Sequence, residues 1–214
     1  MKFCVIGLGR FGFQVATGLS ERGMEVLAVD YNETIIASIR DHVTHAVCLR
    51  VTDEHSLKTI GVDDMDTVIV ATGENFAQAI LITALLKKRL SVPRVIARAI
   101  SDIHQDILKL VGADEIILPE KEIGNRLASS LASPFTTIVP VKKEFSISHL
   151  PAPERFIGKK VEELKLYGAF KIHCVGIAKS DQRICSIDPE YVISPLDELV
   201  FAGHPDDLER VARL

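Results

Sequence analysis

The chain has 214 residues, 25 of them basic against 29 acidic, for a formal net charge of −4. A surface that follows nucleic-acid phosphates is basic, and the densest basic run here is Lys87-Lys88-Arg89, so no nucleic-acid partner is expected. The length allows one domain of about 130–140 residues and a smaller second one, and the longest apolar run, Phe76–Leu86, is broken by Gln78 and Thr83 and too short to span a bilayer.

Lys2–Ile6 reads as a short buried strand, followed by Gly7, Gly9 and Gly12 in the spacing G-x-G-x-x-G at the mouth of a helix. Each glycine answers a physical need: a tight turn, backbone approach to a pyrophosphate, and close helix–strand packing. A phosphate would sit on free amides at the positive end of the helix dipole. Within the loop, Arg10 is either a ligand for a terminal phosphate or a solvated arginine at a helix start, and Phe11 sits beside it. The helix runs to Arg22 and is closed by Gly23. A second strand, Glu25–Asp30, ends in an acid eighteen residues after Gly12. A carboxylate there holds both ribose hydroxyls and repels a 2′-phosphate.

Asn32 is placed to cap a helix over Glu33–Asp41. Thr44–Leu49 is a third strand, whose exit carries Arg50, Val51 and Thr52, read either as neighbours of an adenine or as a plain loop. Asp53 caps a short helix, and Asp66–Ala71 is a nearly all β-branched fourth strand, as expected for burial on both faces. Thr72 and Gly73 follow it. Helix Glu74–Arg89, strand Arg94–Ala99, helix Asp102–Val111 and strand Asp114–Leu118 complete six β–α units. The expected fold is α/β, a doubly wound parallel Rossmann-like sheet of order 3-2-1-4-5-6, with Thr72 and Gly73 at the switch point where ligands bind. Arg98 and His104 bracket the fifth strand's exit; His104 reads either as a site residue or as a surface residue of its helix.

Helix 74–89 is apolar almost all round, more than one sheet face covers, and is expected to lie between subunits. Helix Glu120–Ala132 has a single stripe of Ile123, Leu127 and Leu131, and reads as an arm leaving the first domain, stopped by Pro134. Beyond Val139 the pattern shifts: Phe145, Ile147 and Leu150 alternate, a short helix covers Lys160–Leu166, strands follow at His173–Ala178, Arg183–Ile187 and Glu198–Ala202, and a last helix runs Asp206–Leu214. This is a small α+β module. The expected division is 1–134 and 135–214.

The four cysteines, at 4, 48, 174 and 185, form no C-x-x-C, and the N-terminus runs directly into a strand rather than a signal peptide, so a cytoplasmic chain with free thiols is expected. No acid–base pair, nucleophile motif or metal-ligand spacing stands out in the C-terminal module, whose histidines are 149, 173 and 204. Binding rather than turnover is expected; the alternative is a small NAD-dependent oxidoreductase on the same sheet.

The motifs Gly7-Leu-Gly-Arg-Phe-Gly12, Val29-Asp30-x-Asn32-Glu33, Val70-Ala-Thr-Gly73, Val111-Gly-Ala-Asp114 and Pro119-Glu-Lys-Glu-x-Gly124 resemble the regulatory subunits of Trk/Ktr potassium-uptake systems, the RCK domains. Gly158-Lys-Lys-Val-Glu-Glu-Leu164 and Asp197-Glu-Leu-Val-Phe-Ala-Gly203 resemble their C-terminal regulatory domain. The resemblance implies a homo-oligomer, built from RCK dimers and expected as an octameric ring, at the inner face of the membrane beneath a potassium-translocating subunit. It implies a first domain that binds ATP, ADP or NAD(H) without catalysis, with Gly7, Gly9, Arg10, Phe11, Gly12, Asp30, Asn32, Arg50, Val51, Thr72, Gly73, Arg98, His104 and Glu120 at the site. Arg50-Val51-Thr52 departs from the small polar segment of many relatives. Some relatives bind a cyclic di-adenosine nucleotide in an apolar pocket of the C-terminal dimer, with which Ile172, Ile184 and Pro189 are compatible. Glu120 lies three strands, roughly 14 Å, from the glycine loop of its own subunit. It is therefore read either as a helix-start acid or as a group that reaches the neighbour's nucleotide through Mg²⁺ or another divalent cation.

Overall fold

Six of the strands are apolar along nearly their whole length, and two faces of one sheet account for it. A computed structural model describes residues 1–73, 75–132, 137–142, 144–178 and 184–212. The chain divides into two units, Met1–Glu122 and Ile123–Leu214. The boundary expected between residues 134 and 135 falls outside the described residues.

In the first unit, β1 (Lys2–Ile6), β2 (Glu25–Asp30), β3 (His45–Cys48), β4 (Thr67–Val70), β5 (Arg94–Arg98) and β6 (Glu115–Ile117) form a parallel sheet of order β3-β2-β1-β4-β5-β6, as expected. Alternate residues face opposite sides. Cys4, Ile6, Val29, Val68 and Val70 share one core with Leu57, Ala79, Ile82, Leu86 and Leu108. Val5, Val26, Ala28 and Ile69 share the other with Ala16 and Ile39. Helices α1 (Arg10–Glu21) and α2 (Glu33–Ile39) thus cover one face, and α3 (Glu54–Thr59), α4 (Phe76–Lys88) and α5 (Asp102–Val111) the other. Ile6 pairs with Val29 on one side and Val70 on the other, so the central strands end level and their exits share one edge.

Local chemistry sets the helix bounds. Asn32 caps α2, accepting from the amides of Thr34 and Ile35, and the helix stops at Ile39, earlier than expected, passing into a 3-10 turn over Arg40–His42. Asp53 and Ser56 cap α3 reciprocally. Asn75 caps α4, and the start expected at Glu74 lies outside the described residues. Gly112, at φ +108°, ends α5. On α4, Ala79, Ile82 and Leu86 are buried while Phe76 and Leu81 are exposed, as are Ile103 and Leu110 of α5. Helix α6 (Pro119–Ala132) carries its stripe of Ile123, Leu127 and Leu131 exposed.

The second unit contains β7 (Thr137–Lys142), β8 (Phe145–Pro151), α7 (Leu166–Phe170), β9 (His173–Ala178), β10 (Ile184–Cys185), β11 (Glu198–Gly203) and α8 (Pro205–Ala212), in an antiparallel sheet of order β10-β9-β11-β8-β7. Residues 183, 213 and 214, where an expected strand begins and an expected helix ends, lie outside the described residues. The alternation expected for β8 is corrected: Ser146, Ser148 and Leu150 are the buried positions, and Phe145 and Ile147 take the opposite face. The register explains it, because Ser148 lies opposite the fully buried Phe201 and Ser146 opposite Gly203, so a large ring fills space beside small side chains. The helix expected over Lys160–Leu166 is also corrected. A 3-10 turn, Val161–Leu164, ends at Lys165, whose left-handed backbone (φ +45°) separates it from α7. Among the described residues no helix is long and apolar enough to cross a membrane.

Candidate functional site

The level strand ends bring the glycine loop into a close-fitted turn. The Gly7 amide donates to the Val29 carbonyl at 2.8 Å, and at φ +92° a side chain on Gly7 would meet the Thr72 backbone at 2.8 Å. At Gly12 a Cβ would stand 1.9 Å from the Gly7 carbonyl oxygen and 3.0 Å from Ala71 Cβ, so α1 reaches the sheet only with glycine there. Gly9 differs. It is the N-cap of α1, no side chain caps the helix, and nothing lies within 4 Å of where its Cβ would be. The first-turn amides, with Arg10 exposed among them, therefore face open space at the positive end of a 12-residue helix.

Asp30 is buried at the end of β2, with 8% of its surface exposed. Its Oδ2 accepts the Leu8 amide at 2.7 Å and its Oδ1 the Asn32 amide at 2.9 Å. One carboxylate thus ties the glycine loop to the turn into α2, and each oxygen keeps a lone pair for a hydroxyl donor. Asn32 comes to the same corner, but its Oδ1 is committed to capping α2. Beside Asp30, the Arg50 guanidinium lies 4.7 Å over the Tyr31 ring, and both side chains are exposed. Val51 is buried, and its carbonyl accepts the Gln78 side-chain amide at 3.0 Å, linking the exit of β3 to α4. Sequence reasoning missed Tyr31 and Gln78. The signal for Tyr31 was an aromatic directly after the ribose-type acid, next to the exit of the neighbouring strand.

At the switch point, Arg98 lies across Gly73: a Cβ on that glycine would stand 2.3 Å from the guanidinium. Its Nη2 donates to Glu120 Oε1 at 2.5 Å, and its Cζ is 6.0 Å from the centre of the Phe11 ring. Arg98 therefore joins the glycine-loop helix to the start of α6. The Glu120 carboxyl is held below its ordinary range by its own backbone amide first; burial opposes the shift, and Arg98 adds to the lowering. Glu120 stands alone as a candidate cation ligand: among the described residues no three His, Cys, Asp or Glu side chains gather as a metal site. His104 is fully buried rather than a surface residue, edge-on to Phe76 at 4.9 Å. Its Nδ1 accepts the Ile100 amide at 3.3 Å, which places the proton of the neutral ring on Nε2. Burial pulls its pKa down.

Thr72 Oγ1, Arg98 Nε and His104 Nε2 are buried without a partner among the described residues. Such groups cost free energy unless something satisfies them. Thr72 and Arg98 flank the glycine loop, so a polyoxygenated ligand there fits their chemistry. Gly7, Gly9, Arg10, Phe11, Gly12, Asp30, Thr72, Gly73 and Arg98 are thus brought together, with Tyr31, Arg50 and Val51 along one side. Glu120 joins through Arg98, whereas His104 is buried against Phe76 of α4.

The TrkA-N domain matches residues 3–119 and the TrkA-C domain residues 147–214. The chain belongs to the TrkA-N/TrkA-C family. Ktr system potassium uptake protein A of Bacillus subtilis (strain 168) is 36% identical over 210 residues, 98% of this chain and 94% of that protein. Among solved structures, the GsuK RCK domain superposes with a TM-score of 0.68 at 18% identity, covering 100% of this chain and 47% of that one, which shows the fold. A structure of GsuK bound to ADP superposes with a TM-score of 0.54 at 27% identity over 61% of this chain and 33% of that one. Both halves of the TrkA-N/TrkA-C chain have the architecture expected of them.

In the TrkA-C half, a cleft of about 260 Å³ is lined by Val161, Leu166, Tyr167, Ile172, His173 and Cys174 among others. Tyr167 stacks on His173 at 4.9 Å, and Lys171 Nζ lies 5.1 Å from the Tyr167 ring. Of the three residues compatible with a cyclic dinucleotide, Ile172 is fully buried in the core at this cleft, Ile184 is exposed on β10, and the Pro189 carbonyl accepts the Glu162 amide. Burial pushes the Cys4 thiol up to about 12 and that of Cys174 to about 11, so both stay protonated.

Proposed function

We propose that this TrkA-N/TrkA-C chain is a nucleotide-binding regulatory subunit of a potassium-uptake system. It takes ATP, ADP or NAD(H) on the glycine loop and passes the state of that site to a membrane potassium-translocating partner, at the cytoplasmic face of the membrane. The observation that carries the reading is Asp30, buried and bonded to Leu8 of the uncapped glycine loop, with lone pairs left for a ribose diol. The relatives named as potassium-uptake proteins support the physiological role. That role is non-enzymatic: a bound nucleotide acts by favouring one conformation over another.

Exposed Phe76, Leu81, Ile103 and Leu110 on α4 and α5 support a subunit interface, and the exposed stripe of α6 supports a second. Two distinct two-fold contacts per chain close an even-numbered ring, an octamer in this proposal. Glu120 then contributes to a neighbour's nucleotide, through Mg²⁺ or another divalent cation, in exchange for its bond to Arg98. The TrkA-C cleft is the proposed place for a cyclic dinucleotide.

The test is calorimetric titration of the purified chain with ATP, ADP, NAD⁺, NADH and NADP⁺. Saturable binding of at least one of the first four, with NADP⁺ far weaker, is expected. Binding of none of them removes the proposal.

A further inference from the structure

We infer that Tyr31 and Arg50 form a stacking platform for the base of the nucleotide, one that selects purine over pyrimidine but does not separate adenine from guanine. The inference rests on the nucleotide-binding reading of the glycine loop and deepens it. Strands β2 and β3 pair to their very ends, with Asp30 opposite Cys48 and the Leu49 amide bonded to the Asp30 carbonyl at 2.8 Å. Tyr31 and Arg50 therefore leave neighbouring strands close together, Tyr31 one residue beyond the acid that would hold the ribose and Arg50 two residues beyond that acid's partner, Cys48. The backbone of Tyr31 is further held by the Cys48 thiol, which donates to its carbonyl at 3.5 Å. β3 is the edge strand, so a ribose at Asp30 sends its base outward over this pair.

Two flat groups stand there. Tyr31 is 55% exposed, unusual for an aromatic that closes a buried strand. The guanidinium, its Cζ 4.7 Å from the ring centre, already covers one face of Tyr31, so the pair offers a base the outer face of a cation–π stack. A base seated on this pair is recognised by its face, and every base has one, but the larger purine face gains more. Edge recognition by Arg50 does not favour adenine. Its five N–H groups only donate, which suits N7 and O6 of guanine at least as well as N7 of adenine, while the exocyclic amine of adenine needs an acceptor. The nearby Val51 carbonyl already receives Gln78.

The experiment titrates the full chain with ATP, ADP, GTP, CTP, NAD⁺, NADP⁺ and inorganic tripolyphosphate, and repeats it for Tyr31→Ala, Tyr31→Phe and Arg50→Ala, each checked for an unchanged thermal midpoint. The three tyrosines and absence of tryptophan make quenching of intrinsic fluorescence a second readout of stacking. Expected are ATP and GTP within about tenfold of each other and CTP weaker than both. Tyr31→Ala should lower ATP and GTP affinity about fivefold to a hundredfold and close the gap to CTP. Tyr31→Phe should retain it, and tripolyphosphate should be indifferent to all three changes. ATP binding untouched by Tyr31→Ala, or CTP binding as well as ATP to the unaltered chain, overturns the platform while leaving the nucleotide site standing. An Arg50→Ala effect seen only with NADP⁺ makes Arg50 a 2′-phosphate anchor and overturns it too. Failure of ATP, ADP and NAD⁺ to bind the unaltered chain overturns the nucleotide reading itself, and the platform with it.

Discussion

Asp30 and Leu8 are joined by a 2.7 Å hydrogen bond in which the acid expected to hold a ribose also holds the loop expected to hold the phosphates. Replacing Asp30 by alanine removes both functions at once. Nucleotide affinity should fall by about 1–3 kcal/mol, roughly fivefold to a hundredfold and more, and the unfolding midpoint should drop because the buried Leu8 amide and the partly buried Asn32 amide lose their acceptor. Calorimetry and thermal unfolding measure the two losses separately. A variant that weakens neither would show that the carboxylate is incidental.

The glycines of the loop should separate by function. Gly12→Ala drives a methyl into the Gly7 carbonyl, 1.9 Å away, and should destabilise the chain by about 3 kcal/mol. For a chain of this size that is a midpoint lower by about 6–12 °C. Gly9→Ala meets open space at φ −63°, so the midpoint should hold while nucleotide affinity falls. Equal midpoints for both variants would contradict the close packing of α1.

Glu120→Gln tests the link to α6. The Arg98–Glu120 pair is exposed on its acidic side, 69% for Glu120, so its loss should shift the midpoint by less than about 4 °C. If Glu120 serves a neighbour's nucleotide, the preference for ATP over ADP and its dependence on Mg²⁺ should shrink in the same variant. Unaltered preference and metal dependence would leave Glu120 as a helix-start acid alone.

The exposed apolar residues of α4 and α5 give the assembly test. Ile80 is half-buried against the core, so a charge there would also harm folding; Leu81 and Ile103 are the cleaner probes. Leu81→Glu with Ile103→Glu should lower the sedimentation coefficient while leaving the circular dichroism of the sheet unchanged. A monomeric unaltered chain at micromolar concentration would count against the interface.

His104 gives a pH signature. Its folded-state pKa lies below the ordinary 6.5, so the folded chain binds fewer protons than the unfolded one below that pH. Its contribution to stability is therefore full above about pH 6.5, is lost as pH falls, and levels off under the folded value. The carboxyls of Asp53, held low by the Ser56 amide, and of Glu120 add their losses only in the more acid carboxylate range. His104→Phe should flatten the slope just below pH 6.5 in chemical denaturation, although it leaves the Ile100 amide unpaired.

Much of this was legible in the residues because it is set locally. Apolar runs without polar alternation called for strands buried on both faces, and the short connections between them called for a parallel order that the sheet has. Asn32 and Asp53 announced their helices by side-chain chemistry alone. What the sequence could not convey depends on neighbours far along the chain. Tyr31 meets Arg50 only because β2 and β3 pair in one register. Arg98 meets Glu120 and Phe11 only because β5 ends beside β6 and near α1. The inward serines of β8 look misplaced until Phe201 is set opposite Ser148 and Gly203 opposite Ser146. His104 could be read either as a site residue or as a surface residue, because the burial of one position on a helix depends on a ring such as Phe76, which meets it edge-on from another helix.

The Asp30 carboxylate fastens Leu8 on one side and Asn32 on the other with bonds that belong to the chain itself. A loop fixed in that way has little left to order when a phosphate arrives, so association should run at the rate set by encounter and charge steering, with similar on-rates for every nucleotide that fits. Discrimination among them then resides in how long each one stays. In a regulator of transport, residence time rather than speed of capture would set how promptly a change in the nucleotide pool is felt.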